Sequence, residues 1–458
     1  MYKGKAPLAQ ALFSYAEKGL ASFHTPGHKG HASVLVGLRL LEHDLTELPE
    51  TGSLYDGGDV IEEAERLAAP AFGAAETFFS AGGCTLCIQS MLLTGAGPGA
   101  RVLMARNAHR SAVNAAALLG LEPVWCWPQD SAGSGYRPVT PGDINVLLNY
   151  DNKIQSVYIT SPDYYGNLCD VQGIAAVCRT HGVPLLVDNA HGSHLGAFGL
   201  HPLQLGAFMT ADSAHKTLPA MTGGAYWHLS PEAAEAVSRP AAKAAMALFG
   251  STSPSFPVLA SLDLARDWWE NEGPAAFEKT AQWAERIRLA AQESAAVGNG
   301  LDVAFRELPA AQKDPARLTL RTENGQQAAA WFREQGCEPE MADEENVVFI
   351  LTPFNAQEEL ERLEQAVRRF RPQGQGSGGA RFSPVPPPCR PEPVCTPREA
   401  LMRPWLELPV TVASGRIAAR AVCPCPPGVA AVVPGERISA ELAVWLQQRG
   451  VESVPVLR

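Results

Sequence analysis

The chain has 458 residues, of which 46% are apolar and 19% are charged, and its formal net charge is −11 at neutral pH. At about 150 residues per domain this length predicts two or three domains, and the composition is typical of a globular enzyme with many loops. No run of about 18 apolar residues and no basic stripe interrupted by aromatics occurs, so we expect neither a membrane span nor a nucleic-acid partner. Because the ten cysteines are scattered and no secretion signal is visible, we expect free thiols and a cytoplasmic location.

Residues 1–60 are predicted to form an N-terminal arm. A short amphipathic helix over Met1–Leu20 precedes a turn at Thr25–Gly30, and an acidic loop follows over Asp44–Asp59. An arm of this kind usually packs on another part of the molecule.

Residues 61–299 are predicted to form a large domain with connecting helices. Short apolar runs predict strands at Thr77–Ser80, Arg101–Met104, Val157–Thr160, Pro184–Val187 and Ala225–His228. Helical stretches alternate with them at Val60–Phe72, Thr85–Leu93, His109–Leu119 and Val171–Thr180, and long helices follow over Val258–Ala296. Strands separated by helices predict an α/β fold with a mostly parallel central sheet that is covered on both faces.

Residues 300–372 are predicted to form a smaller α+β domain. Its elements alternate in the order strand, helix, strand, helix, at Arg317–Arg321, Gln326–Gln335, Val347–Leu351 and Gln357–Phe370. Residues 373–399 are rich in Gly, Pro, Gln and Ser and are predicted to be a flexible linker. A C-terminal segment, 400–458, ends the chain.

Lys216 and Asp188 are the most informative pair of residues. Asp188 ends an apolar strand, and Lys216 lies in the loop Ser213–Pro219. A lysine amine can close an imine with the aldehyde of pyridoxal 5'-phosphate, and a carboxylate against the pyridine nitrogen keeps that nitrogen protonated. The pair therefore predicts a pyridoxal phosphate enzyme.

Neighbouring residues fit the same cofactor. Ser213 and His215 can bind its phosphate, and the small Ala190 leaves room for a flat ring. His191 is placed to reach the phenolic oxygen of that ring. Further residues complete the predicted site: Gly83, Cys84 and Thr85 open a helix whose N-terminus can face a phosphate, and His109 is predicted to stack on the exposed face of the ring.

We predict no metal site. Cys84 and Cys87 have the spacing of a zinc half-site, but the sequence offers no matching second pair. The pairs His24 with His28 and His191 with His194 lack an obvious third ligand.

Taken with their flanks, these residues resemble the pyridoxal phosphate decarboxylases that act on ornithine, lysine and arginine. The similar segments follow in family order along essentially the whole chain: 23–30 (FHTPGHKG), 44–49 (DLTELP), 106–109 (RNAH), 213–219 (SAHKTLP), 252–255 (TSPS), 338–343 (EPEMAD), 426–428 (PPG) and 433–436 (VPGE). The chain is similar to the family's compact form, which lacks the extra N-terminal domain of the larger members. It departs from the family at Asn189, where Glu is usual, and at Cys84, where Ser or Thr is usual.

The resemblance implies an aminotransferase-like fold and a homodimer with shared active sites. It implies that Lys216 forms the imine, Asp188 contacts the pyridinium, His109 stacks, and Ser213, His215 and Thr85 bind the phosphate. Thr252 would reach the phosphate in the neighbouring subunit.

The expected reaction is decarboxylation of a basic L-amino acid, which releases CO2 and a di- or polyamine precursor. Lys216 or His109 would return a proton to the alpha carbon. The distal cation of the substrate needs an anionic partner, and Glu436, Asp44 and Glu47 are the predicted substrate-binding acids. Two alternatives remain open at this point: transamination, with Arg317 or Arg321 holding the substrate carboxylate, and a non-catalytic relative that acts as a binding partner.

Overall fold

The computed structural model describes residues 15–37, 40–56, 59–127, 137–296, 298, 300–304, 309, 312–371, 389–423 and 429–458. Most of the helix predicted over Met1–Leu20 lies outside the described residues. Within them, no helix combines the length and the apolar composition that a bilayer crossing would require.

The elements alternate between strand and helix through most of the chain. The strands are β1 (Ala21–Phe23), β2 (Glu76–Ser80), β3 (Arg101–Ala105), β4 (Glu122–Cys126), β5 (Ser156–Thr160), β6 (Leu185–Asp188), β7 (Met209–Asp212), β8 (Ala225–Leu229), β9 (Leu301–Val303), β10 (Arg317–Thr322), β11 (Cys337–Pro339), β12 (Met341–Ala342), β13 (Asn346–Ile350), β14 (Trp405–Pro409) and β15 (Ser453–Leu457). The helices are α1 (Leu40–His43), α2 (Asp59–Ala71), α3 (Gly83–Gly95), α4 (Arg110–Leu119), α5 (Pro141–Tyr150), α6 (Val171–Thr180), α7 (Ala214–Thr217), α8 (Pro231–Ala236), α9 (Arg239–Ala247), α10 (Phe256–Asn271), α11 (Gly273–Ala296), α12 (Gly325–Glu334), α13 (Gln357–Arg369), α14 (Pro397–Met402) and α15 (Ala440–Gln448).

A seven-stranded sheet forms the centre of the large domain, in the order β2-β8-β7-β6-β5-β3-β4. The five strands from β7 to β4 are parallel, whereas β8 is antiparallel to both of its neighbours. In β3, Val102 and Met104 belong to an apolar cluster with α3 and α4, and Leu103 and Ala105 belong to one with α5 and α6. Since successive side chains of a strand face opposite sides, both faces of the sheet are covered, as predicted.

Two strands of this sheet are absent from the sequence prediction, and so are several helices of the large domain, among them α5, α8 and α9. β4 is an edge strand whose residues are partly exposed, and β7 contains the polar residues Thr210 and Asp212, so neither forms a continuous apolar run. Helix α5 has a readable start, because Thr140 caps it and Pro141 occupies its first turn. The other predicted elements lie within about two residues of the observed ones.

The smaller α+β unit contains a sheet in the order β12-β13-β10-β9, with antiparallel neighbours throughout. Phe332 of α12 and Phe349 of β13 lie in its core together with residues of α11 and α13. The arm is anchored on this unit, because β1 pairs in parallel with β11, with Ala21 opposite Cys337.

The C-terminal segment has its own apolar cluster, in which α15 packs near the antiparallel pair β14 and β15. The linker predicted over 373–399 extends too far toward the C-terminus. Helix α14 begins at Pro397, where Thr396 and Glu399 form a reciprocal capping box. Residues 372–388 lie outside the described part of the chain.

Glu65 of α2 provides a test of this fold. Its buried carboxylate accepts hydrogen bonds from Lys243 Nζ at 2.6 Å and from the backbone N–H of Phe79 at 2.9 Å, and it also contacts Arg239. Replacing Glu65 with Ala would leave the buried Lys243 ammonium without its anionic partner. We expect a loss of about 3–5 kcal/mol, seen as a clear fall in the thermal midpoint. The exposed Glu285→Ala, whose partner Arg288 is an i,i+3 neighbour, should change the midpoint little; equal effects of the two variants would contradict the prediction.

Candidate active site

A cavity of about 340 Å³ lies where β5 and β6 end and where α3 and α4 begin. All the predicted cofactor-binding residues except Thr252 line it: Gly83, Cys84, Thr85, His109, Asp188, Ala190, His191, Ser213, His215 and Lys216. The remaining lining residues are Ile88, Asn107, Ser111, Thr160, Pro162, Asp163, Tyr164, Tyr165 and Val429. The cavity therefore brings together segments that are far apart in the sequence.

Asp188 and Lys216 reach this cavity from neighbouring strands. Asp188 is the last residue of β6, and Lys216 lies in the one-turn helix α7, directly after β7. Because β6 and β7 are parallel, both residues belong to the carboxyl edge of the sheet, where open α/β sheets bind ligands.

The Asp188 carboxylate is held by two hydrogen bonds. Tyr158 Oη donates to its Oδ2 at 3.1 Å, and the backbone N–H of Ala190 donates to its Oδ1 at 3.1 Å. Burial raises the pKa of Asp188, while the charges of His109 and Lys216 oppose that rise. A cationic ring nitrogen against this carboxylate would favour its ionised form in the same way.

The Lys216 amine lies within hydrogen-bond distance of His191, whose Nε2 is 3.0 Å from Nζ. Burial lowers the pKa of Lys216, because an ammonium loses its hydration there. The unprotonated, nucleophilic fraction of this amine is therefore larger than that of an exposed lysine at the same pH.

His109 caps α4 and faces the cavity. Its Nδ1 accepts a hydrogen bond from the backbone N–H of Ser111 at 3.2 Å, and Ser111 Oγ lies 2.8 Å from the same nitrogen. Burial lowers the pKa of His109, because an imidazolium loses its hydration there. Across the cavity opening, His109 forms an isolated backbone bridge with Val429 of the C-terminal segment.

The start of α3 offers backbone donors. Gly83 has a positive φ of +67°, which a residue with a Cβ adopts only at a cost. Thr85 lies in the first turn of this 13-residue helix, so its N–H is among those without an intrahelical partner. The Cys84 thiol is buried, which raises its pKa well above the usual value and makes it a poor nucleophile.

The turn at Thr25–Gly30 supports the Lys216 loop directly. The N–H of Gly27 donates to the carbonyl of His215 at 2.7 Å, and Thr352 Oγ1 donates to the carbonyl of Gly27 at 2.7 Å. A Cβ at position 27 would lie 2.6 Å from the carbonyl carbon of Thr217. The arm therefore contacts the loop that carries the amine, and the small domain contacts the arm.

Four residues of the site were not predicted from the sequence: Tyr158, Asp163, Tyr164 and Tyr165. They lie on β5 or directly after it. The available signal was that β5 ends at the same edge of the sheet as β6, where ligands of open α/β sheets bind. Asp163 accepts hydrogen bonds from the backbone N–H groups of Tyr165 and Asn167. Burial raises its pKa to about 6, and with Asp188 it supplies the carboxylates among the described residues that line the cavity.

The predicted substrate-binding acids do not reach this cavity. Glu436 is buried, and its Oε2 accepts hydrogen bonds from Arg106 at 3.0 Å and from the N–H of Val433 at 2.8 Å. Its role as a free anion is therefore corrected to that of an internal ion-pair partner, which anchors the C-terminal segment. Asp44 and Glu47 are exposed on the arm, and they do not line the cavity of their own chain.

Thr252 is exposed and also lies outside the cavity. Its predicted contact is with a second subunit, so it remains a prediction here. Asn189, which follows Asp188, turns away from the cavity and donates from Nδ2 to Asp212 Oδ2 at 2.6 Å. It thereby ties the ends of β6 and β7 together below the site.

Asp212 also lies within 4.8 Å of ligand-type atoms of His201 and His228. Its Oδ2 already accepts the hydrogen bond from Asn189 and pairs with His201 Nε2 at 3.0 Å. These contacts join Asn189, Asp212 and His201 in a buried hydrogen-bond network.

A family model described as Orn/Lys/Arg decarboxylase, major domain, matches residues 6–308. The chain belongs to the Orn/Lys/Arg decarboxylase family. The C-terminal domain model of the same family matches residues 388–448. The family resemblance is thereby confirmed. The aminotransferase-like α/β fold is confirmed by solved structures, among them a pyridoxamine-pyruvate aminotransferase from Mesorhizobium loti with a TM-score of 0.56 at 17% identity, covering 76% of this chain and 91% of that one.

Relatives cover nearly the whole chain. An uncharacterized protein of Bacillus subtilis, YaaO, is 32% identical over 454 residues, which is 95% of this chain and 92% of that protein. An arginine decarboxylase of Bacillus anthracis is 28% identical over 475 residues, covering 99% of this chain and 94% of that protein. The structure of the Escherichia coli constitutive lysine decarboxylase superposes with a TM-score of 0.75 at 20% identity, covering 99% of this chain and 82% of that one.

Gly27 provides a test of how the arm supports the site. In Gly27→Ala the new Cβ would meet backbone atoms that cannot move without shifting the Lys216 loop. We expect faster amide hydrogen exchange in peptides spanning 213–219 and a lower thermal midpoint. Gly37→Ala is the matched control, because no atom lies within 4 Å of a Cβ at that exposed position. Unchanged exchange in Gly27→Ala would contradict the proposed support.

Proposed function

We propose that this protein is a pyridoxal phosphate dependent decarboxylase of a basic L-amino acid: lysine, arginine or ornithine. The observation that carries the proposal is the convergence of the Lys216 amine and the Asp188 carboxylate on one cavity. The chain's membership of the Orn/Lys/Arg decarboxylase family supports the reaction class. The N-terminus of α3, together with Ser213 and His215, fits a phosphate.

The residues present fit the cofactor. Lys216 supplies the amine, and Asp188, fixed by Tyr158 and Ala190, supplies the carboxylate for a protonated ring nitrogen. Pyridoxal phosphate, when bound, supplies an electron sink for the pair released as the bond between the alpha carbon and the carboxylate breaks.

The chain's own residues have distinct tasks in this proposal. Lys216 and His109 are the proposed groups for proton return to the alpha carbon, because both line the cavity and each has a nitrogen that can carry a proton.

The anion for the distal cation of the substrate is reassigned. Glu436 is neutralised by Arg106, so we propose Asp163 as the carboxylate that faces the substrate within this chain. A carboxylate offers about four lone-pair positions, and the hydrogen bonds from Tyr165 and Asn167 leave one open. Thr252 completes the site from the second subunit of a homodimer in this proposal.

Transamination is the less favoured reaction. Arg317 is buried, and its guanidinium donates to the carbonyl of Tyr164 at 3.0 Å and contacts His191 at 3.3 Å. Arg321 pairs with Glu345 and is half exposed. Neither arginine is therefore free to clamp a substrate carboxylate.

Product analysis tests the reaction. The purified protein, loaded with pyridoxal phosphate, is incubated with L-arginine, L-lysine and L-ornithine, and CO2, amine and keto acid are quantified. We expect CO2 and amine in equal amounts, and we would test arginine first because arginine decarboxylases are among the full-length relatives. Keto acid without CO2 would support transamination, and no product would support a non-catalytic relative.

Lys216→Ala tests the role of the amine. We expect loss of the visible absorbance of bound cofactor and a fall in activity on the order of 1,000-fold or more, since no covalent link can form. Lys153→Ala is the control, because Lys153 is exposed and lies outside the cavity. Covalent cofactor that persists in Lys216→Ala would contradict the assignment.

Asp188→Asn tests the carboxylate. The amide keeps the shape of the side chain but cannot hold a proton on the ring nitrogen, so kcat should fall about 100-fold or more. The visible absorbance of bound cofactor should persist, because Lys216 is intact. Asp267→Asn, on the exposed face of α10, should leave kcat unchanged; a kcat for Asp188→Asn equal to that of the wild type would refute the proposed role.

A further inference from the structure

Arg317 stands directly behind His191, on the side opposite Lys216. It is the first residue of β10, and 3% of its surface is exposed. One terminal nitrogen, Nη2, lies 3.3 Å from His191 Nδ1, and the other, Nη1, donates to the carbonyl of Tyr164 at 3.0 Å. The Tyr164 ring packs on the imidazole with 4.6 Å between the ring centroids, so the ring of His191 is held in place.

The arginine decides where the imidazole proton lies. A guanidinium is always protonated in proteins and can only donate, so His191 Nδ1 must accept. The proton of the neutral ring then resides on Nε2, which is the nitrogen 3.0 Å from Lys216 Nζ. Protonation of both nitrogens is opposed by burial and by the positive charge of Arg317.

This tautomer acts on the lysine. If Lys216 were an ammonium, its N–H groups would face the N–H of His191, with no acceptor between them. As a free amine, Lys216 offers a lone pair that accepts the hydrogen bond from His191 Nε2. Burial lowers the pKa of Lys216, and the charge of Arg317 lowers it further, whereas the carboxylates of Asp188 and Glu340 raise it.

We propose that Arg317 is a positioning residue that fixes the Nε2-protonated tautomer of His191 and thereby holds Lys216 as the free amine that condenses with the cofactor aldehyde. In that step the nitrogen lone pair attacks the aldehyde carbon, a carbon–nitrogen double bond replaces the carbon–oxygen bond, and the oxygen leaves as water with both amine protons. This inference rests on the proposed function, because only that function requires Lys216 to react with the cofactor aldehyde.

The histidine tautomer is measurable in the protein without cofactor. Nitrogen-15 spectra of histidine-labelled protein distinguish protonated from unprotonated ring nitrogens, and His191→Asn identifies the His191 signals among the 11 histidines. We expect Nε2-protonated, neutral His191 from pH 6 to 9. In Arg317→Met, the Nδ1 constraint is lost and we expect a mixture of tautomers or titration within this range. His201 is the internal reference, because it contacts Asp212 and not Arg317. Its signals should be the same in the wild type and in Arg317→Met.

The reactivity of Lys216 gives a second readout. The rate of pyridoxal phosphate addition, followed by absorbance, should rise with pH as the amine loses its proton. In Arg317→Met we expect a rate about tenfold lower near pH 7, equivalent to one unit in the pKa of the lysine, and recovery to the wild-type rate at high pH. Arg321→Met is the matched control, because Arg321 lies on the same strand but pairs with Glu345 at the surface.

Two results would overturn the inference. One is a wild-type His191 with its proton on Nδ1, which needs no variant and therefore does not depend on whether Arg317→Met folds. The other is a rate in Arg317→Met that falls by the same factor at every pH, which indicates a structural defect. A protein that passes both tests but releases no CO2 would contradict the proposed function and leave this inference standing.

Discussion

A buried amine and a buried carboxylate, brought to one edge of a parallel sheet, are the constraint on which the rest of the structure depends. Each of these groups loses hydration in the interior, so neither is retained there without compensation. Hydrogen bonds from Tyr158 and Ala190 compensate Asp188, and the contact with His191 compensates Lys216.

The support extends well beyond the large domain. The turn at Thr25–Gly30 contacts the Lys216 loop, and β1 anchors the arm on the small domain. On the other side, Arg106 donates to the carbonyls of Ala430 and Ala431 and pairs with Glu436, which fastens the C-terminal segment beside the cavity. The geometry at Lys216 therefore depends on the arm and the small domain, and the cavity opening depends on the C-terminal segment.

The sequence was sufficient to predict the parallel sheet and most of the cavity. The apolar strand that ends in Asp188 is readable, because burial on both faces leaves a continuous apolar run. The edge strand β4 and the polar strand β7 lack such runs and were not predicted. Asp163 and Tyr164 were also missed, since their contribution depends on where β5 ends relative to β6. Glu436 was misjudged because its partner, Arg106, is 330 residues away in the chain, and no local pattern reveals such an ion pair.

The identity of the lysine that bonds to the cofactor is the most direct test of this account. The protein is loaded with pyridoxal phosphate, reduced with borohydride, digested and examined by mass spectrometry. We expect the pyridoxyl group on the peptide that contains Lys216. Lys29 is the informative competitor, because it is also buried and its pKa is lowered to about 7. A modified Lys29, or a modification spread over several lysines, would contradict the account.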